Sequence, residues 1–130
     1  MLKKRHLFLP FLFLIGVAWL LVRFIYMERH DSALLDAVNA GDVPAVQRAF
    51  NEGATMKMQI RRHFTFLQVA ALHTNVEIAK LLVDHGAAGT LAAKNDEGET
   101  ALDLALAHGH TAMADYLRSV AVTNYGNGMR

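Results

Sequence analysis

Seven histidines and no cysteine set the terms on which this chain could do chemistry. Without thiols there are no disulfides, no thiolate nucleophile and no Cys-containing zinc site. The tightest histidine pair is His108-Gly109-His110, and His73 precedes His108 by one long sequence interval. Two nitrogens binding one zinc must each lie about 2 Å from it. If His73 and His108 sit on neighbouring packed helices they are roughly 10 Å apart. No Asp or Glu set completes a metal site around either pair. A nucleophile is equally hard to assemble: Ser32 and Ser119 are the only serines, and neither has a base at a telling distance in sequence. There is no Gly-rich phosphate loop, no nucleophile elbow and no His-Glu-x-x-His helix. Asp103 and Asp115 have polar structural roles open to them. The expectation is a non-enzyme with no cofactor, no metal and no small-molecule substrate.

The elements that carry these residues announce themselves by recurrence. Thr65-Phe66-Leu67-Gln68-Val69-Ala70-Ala71 returns as Thr100-Ala101-Leu102-Asp103-Leu104-Ala105-Leu106, and a weaker copy stands earlier as Ser32-Ala33-Leu34-Leu35-Asp36-Ala37-Val38. An interval of roughly 33–35 residues marks stacked repeats, each a supersecondary unit that cannot bury its apolar face alone. In the middle copy Leu67, Ala70 and Ala71 share one helical face, as do Ile78, Leu81 and Leu82, with a polar break at Thr74-Asn75. Thr65 followed by Gln68 is a capping-box pattern. Gly86 suits a left-handed helix end. Asn95-Asp96-Glu97-Gly98-Glu99-Thr100 supplies turn chemistry leading into an N-cap.

These landmarks resemble the ankyrin repeat, with its Thr-Pro-Leu-His-x-Ala-Ala, Gly-His and Leu-Leu-x-x-Gly-Ala signatures. The resemblance covers about residues 31–120. Phe66 and Ala101 stand in place of the Pro, Gln68 and Asp103 in place of the His, while Gly109-His110 keeps the Gly-His position. It implies an all-α, helix–loop–helix solenoid of about three units with β-hairpin fingers between them, the outer units acting as caps. It also implies a protein partner, met by the finger tips and by the exposed side of each first helix. By position that side carries three rows: Asp36, Val69 and Leu104; Asn39, Leu72 and Ala107; Ala40, His73 and His108. The plainer alternative for Val69, Leu72 and Leu104 is packing between repeats.

The first finger, Thr55 to Phe64, lacks the usual turn Asp and Gly, and His63 stands where Gly is typical. Met56, Met58 and Ile60 alternate with Lys57, Gln59 and Arg61 at a strand-like period of two. Flexible Met beside Lys57, Arg61 and Arg62 suits an adaptable edge for an acidic partner. Equally, the Met side chains would cover the neighbouring repeat and leave the bases solvated. The second finger, Ala88 to Gly98, ends acidic, so the two fingers carry opposite charge.

Ahead of the repeats, Lys3-Lys4-Arg5-His6 precedes an uncharged apolar run from Leu7 to Val22. Extended past Arg23 through Phe24-Ile25-Tyr26-Met27, it reaches roughly 31 Å as a helix, enough to span a bilayer. Residues 1–27 therefore read as a single-pass membrane signal-anchor, 28–121 as the repeat domain and 122–130 as a flexible tail. A signal peptide cleaved after Ala18 competes with this, but Trp19-Leu20-Leu21-Val22 continues the apolar run without a break. Three bases before the span favour a cytoplasmic N-terminus and an extracytoplasmic body, by a thin margin. The net charge of +1 hides that leader: from Glu28 onward 9 Lys/Arg face 12 Asp/Glu. Such a body has no broad basic footprint for nucleic acid. The chain reads as an anchored protein-binding module. A structural subunit acting through its transmembrane helix and a secreted binding module stand as alternatives.

Overall fold

A computed structural model describes residues 8–126. The basic leader residues Lys3, Lys4, Arg5 and His6, with Leu7, and the last tail residues Asn127 to Arg130 lie outside the described residues. Among the described residues six α-helices follow one another: α1 (Phe8–Ala40), α2 (Val43–Asn51), α3 (Phe66–Ala71), α4 (Val76–Asp84), α5 (Ala101–Ala107) and α6 (Thr111–Gly126). They pair as α1–α2, α3–α4 and α5–α6, and each pair packs on the next. This is the three-unit helical solenoid that the recurrence predicts.

Capping explains where most of these helices begin. The Asp42 carboxylate accepts from the Ala45 N–H at 3.0 Å, with Pro44 in the first turn of α2 where its missing donor costs nothing. Thr65 and Gln68 form the expected capping box, and Thr100 with Asp103 forms a second. Asn75 caps α4 through the Glu77 N–H at 3.1 Å. Gly86 ends α4 with φ 103°, a left-handed conformation that an L side chain adopts only with strain.

The core is a column of small and branched side chains shared by the three units. Leu34 and Val38 of α1, Val46 of α2, Leu67 and Ala71 of α3, Leu82 of α4, Ala105 of α5 and Leu117 of α6 are all buried. The alanines at the first-helix positions let the pairs approach closely, and the leucines fill the layer between.

Three features depart from expectation. First, α1 is one unbroken helix of 33 residues, about 50 Å long, so the apolar leader and the first helix of the first unit are a single rod. Its large apolar side chains from Phe8 to Tyr26 are all exposed, and it is long and apolar enough to cross a membrane. Second, no β-hairpin forms among the described residues. The first finger instead follows an irregular path, with left-handed Met56 (φ 58°), Arg62 (φ 58°) and His63 (φ 56°) and a 3-10 turn over Arg61–His63. Those three residues break the extended run that a period-two pattern suggests. Third, the expected loose tail starts in helix: α6 carries on through Val122 to Gly126.

Candidate functional site

Val69 and Leu104 correct the proposed binding rows. They are 6% and 4% exposed, packed between units, and leave the candidate surface. Asp36, their counterpart in the first unit, is exposed. The reason is position in the stack: the first-unit residue looks outward past the end, while the later two have a preceding unit to cover them. Asn39 is exposed at the end of α1, His73 is half-buried just after α3, and His108 is exposed at the C-cap of α5. What remains is an edge of Asp36, Asn39, His73 and His108, running across the ends of the three first helices.

Backbone carbonyls orient His108 and His110. His108 Nδ1–H donates to the Leu104 carbonyl at 2.9 Å, which fixes the ring and leaves Nε2 free of this bond. His110, at the Gly-His position, reaches back from the third unit to the Ala71 carbonyl at 3.1 Å. One unit earlier Asn75 makes the corresponding reach to the Gly41 carbonyl at 3.4 Å. These two side chains staple consecutive units, a structural use for His110. Phe50 and His85 stack with centroids 3.8 Å apart, joining the ends of α2 and α4. Among the described residues no three His, Asp or Glu side chains gather at a metal-sized point.

The first finger is positioned by a residue that sequence reasoning missed. Asp31 of α1 is 2% exposed. Its Oδ1 accepts from the N–H groups of Thr55 (2.6 Å) and Met56 (3.1 Å), and its Oδ2 from those of Lys57 (2.8 Å) and Met58 (2.9 Å). The Thr55 hydroxyl adds a further bond at 3.1 Å. Successive backbone donors converging on one carboxylate form an anion nest built within the chain. It takes from the finger the very N–H groups that a hairpin ladder needs, which is why the finger does not pair as strands. The second finger is organised from inside: buried Asn95 accepts from the Glu97 and Glu99 N–H groups at 3.1 and 2.8 Å. The only sequence signal for Asp31 is indirect, namely a finger that lacks its own turn-forming Asp or Asn.

Gln68, read from sequence as the capping-box partner of Thr65, has a further role that sequence reasoning missed; it is fully buried at the position where the resemblance places His. Its side-chain oxygen accepts from the Thr65 N–H, and its amide nitrogen donates to the carbonyls of Ala93 (2.8 Å) and Glu99 (3.0 Å). It thereby ties the foot of the second finger to α3.

The predicted finger residues divide into three kinds. Met56 and Met58 are half-buried against the core, the covering role weighed from sequence. Lys57 and Arg61 are exposed, with no carboxylate in ion-pair range among the described residues. Arg62 is committed: its guanidinium donates to Glu97 at 3.0 Å, its carbonyl accepts from the Asp96 N–H at 3.1 Å, and neighbouring His63 pairs with Asp96. The opposite charges of the two fingers meet each other.

Leu106 was also overlooked. Its counterparts Val38 and Ala71 are fully buried by the unit that follows, whereas Leu106 is 47% exposed. The repeat register held that information, because the third unit has no following partner among the described residues.

Two comparisons bear on this geometry. A family model described as ankyrin repeats, in three copies, matches residues 34–125. The chain is 35% identical over 92 residues to diacylglycerol kinase iota of Rattus norvegicus and of Homo sapiens, and 34% identical to that of Mus musculus. Those stretches take in 70% of this chain but only 9% of each relative. So small a share gives no ground for kinase chemistry here, and an ankyrin array is a non-catalytic interaction module. Three helix pairs, capping boxes at α3 and α5, the His110 staple and the match across residues 34–125 place this chain in the ankyrin repeat family.

Proposed function

We propose that this chain is an adaptor held at a membrane by the apolar half of α1, with its ankyrin units gripping one protein partner. The observation that carries the partner site is the edge of exposed Asp36, Asn39 and His108 with half-buried His73, one or two polar groups from each unit towards the end of its first helix. Polar, adaptable side chains rimming a rigid helical stack suit a protein–protein contact. Support for the anchor comes from the exposed apolar side chains from Phe8 to Tyr26 and from a helix that continues through Gly16-Val17-Ala18 without a break. The bases ahead of the span favour a cytoplasmic N-terminus and a partner on the opposite side.

Photo-crosslinkers placed singly at Asn39, His108 and outward-facing Arg118 test this in the full chain. Asn39 and His108 are expected to give one discrete protein adduct and Arg118 none. The adduct is expected to survive exchange of residues 8–27 for an unrelated span. Loss of the adduct on that exchange favours a structural subunit acting through its transmembrane helix. Absence of any adduct from Asn39 and His108 removes the edge as the partner site. A reporter fused after Arg130, active only outside the cytoplasm, fixes the orientation.

A further inference from the structure

We propose that the first finger is a foot resting on anionic phospholipid headgroups beside the span. The inference rests on the reading that the apolar half of α1 crosses a membrane. Three observations lead to it.

The Asp31 nest pins the finger to α1 at a fixed height. Asp31 lies five residues past Tyr26, about 7.5 Å further along the helix axis. From that point the finger turns back towards the apolar half, because Lys57, Met58 and Gln59 line the same cleft of about 310 Å³ as Phe24 and Met27. Met58 also borders Ile25 and Arg29 on the adjoining surface. The finger is thus level with the last turn of the apolar stretch, where a bilayer's headgroups begin.

The bases at that level are unpaired and outnumber the acids. Arg23, Arg29 and Lys57 have no carboxylate in ion-pair range among the described residues. Glu28 is the one exposed acid at this level of α1, and Asp31 is buried and already saturated by backbone donors. The acids of the second finger are taken up by Arg62 and His63.

The third observation is the mixed chemistry of the patch. Phe24, Met27 and Met58 bring apolar surface to the same place as Lys57, with Arg29 on the adjoining surface. Long basic side chains beside apolar ones suit the headgroup–acyl boundary, where stems stay in the apolar layer and charges reach phosphate. An acidic protein surface would meet the charges but leave the level of Phe24 and Met27 without a purpose.

The absence of cysteine makes the test direct. Full-length chain carrying a fluorophore on Gln59→Cys, or on Gln47→Cys of α2 as control, is reconstituted into vesicles containing headgroup-spin-labelled lipid. One set is phosphatidylcholine alone and the other is enriched in phosphatidylglycerol. Gln59 is expected to be quenched several times more strongly than Gln47 in the anionic vesicles. Each base at an anionic surface shifts a docked equilibrium by about fivefold. Arg29→Gln with Lys57→Gln, both at exposed positions, is therefore expected to return Gln59 quenching to its level in neutral vesicles. Quenching of Gln59 no stronger than that of Gln47 overturns the proposal. So does quenching that ignores both lipid charge and the double substitution, the outcome expected of a finger facing an acidic protein. Extraction at alkaline pH separates the two layers of inference. A chain released from the vesicles overturns the anchor as well, whereas a retained chain with unquenched Gln59 overturns only the foot.

Discussion

Replacing Asp31 by Asn tests whether one carboxylate holds the first finger in place. The two side chains have nearly the same shape, but Asn has one acceptor oxygen, and its NH2 group would confront N–H donors. Asp31 accepts from four backbone N–H groups between 2.6 and 3.1 Å. Hydrogen bonds to a charged group are worth about 1.5–3 kcal/mol each, yet they do not add when they share one acceptor. Burying the carboxylate also costs several kcal/mol, so the intact nest nets far less than the sum of its bonds. The substitution leaves about two buried donors unsatisfied at about 1–3 kcal/mol each, giving an expected loss of about 3 kcal/mol. For a repeat region of this size that corresponds to a fall in melting temperature of about 12–24 °C. Helix content is a poor reporter, because the apolar half of α1 keeps its helix in detergent. Amide hydrogen exchange at Thr55 to Met58 reads the nest itself, and about a hundredfold loss of protection is expected there. If those amides keep their protection, or stability falls by less than about 1 kcal/mol, the nest does not hold the finger and the reasoning fails.

Four further predictions follow from single positions. Gly86→Ala meets nothing within 4 Å of the new Cβ, so its cost is backbone strain alone at φ 103°, about 1–2 kcal/mol by denaturant titration. His63→Gly relieves a left-handed conformation and gives up only an exposed pair with Asp96; stability is expected to rise by up to about 1 kcal/mol. Ala71→Glu is expected to cost more than about 3 kcal/mol while Leu106→Glu changes stability by less than about 0.5 kcal/mol, since the same register position is covered in one unit and open in the other. The Thr100 N–H, and after it the Thr100 hydroxyl, hold the Asp103 carboxyl below its ordinary value of 3.8. A depressed folded-state pKa contributes stability that is present above 3.8 and lost as pH falls through the lower folded value. Thr100→Val removes the hydroxyl but not the N–H, so carbon-13 NMR titration should show Asp103 moving only partway back; a complete return would contradict the backbone bond as the larger cause.

The solenoid was legible because its marks are local and repeat. Thr65 with Gln68, Gly86 and the alternation of Leu and Ala faces each act within a few residues, and recurrence multiplies the signal. What could not be read depends on partners distant in sequence. Asp31 meets the finger 24 to 27 residues later, and Gln68 reaches a carbonyl 31 residues on, at the foot of the next finger. Period-two alternation in Met56 to Arg61 suggested a strand, but a buried acceptor elsewhere claimed the backbone donors. Val69 and Leu104 were misplaced for a related reason. Position on a first helix says which face a residue occupies, and only the neighbouring unit decides whether that face is covered. Register already held the counter-signal in Val38, Ala71 and Leu106, where the last member alone lies open.

The unbroken α1 rod also sets a rotational phase. From Val17 to Ala40 it contains no Gly or Pro at which a helix would ordinarily kink. Each residue of an α-helix advances the chain by about 100° around the axis. One residue inserted between Met27 and Glu28 therefore swings the whole ankyrin array about 100° relative to the apolar half. Seven inserted residues restore the bearing to within about 20°, some 10 Å further out. The edge of Asp36, Asn39, His73 and His108 thus has a compass direction, written into the count of residues between the two halves of one helix.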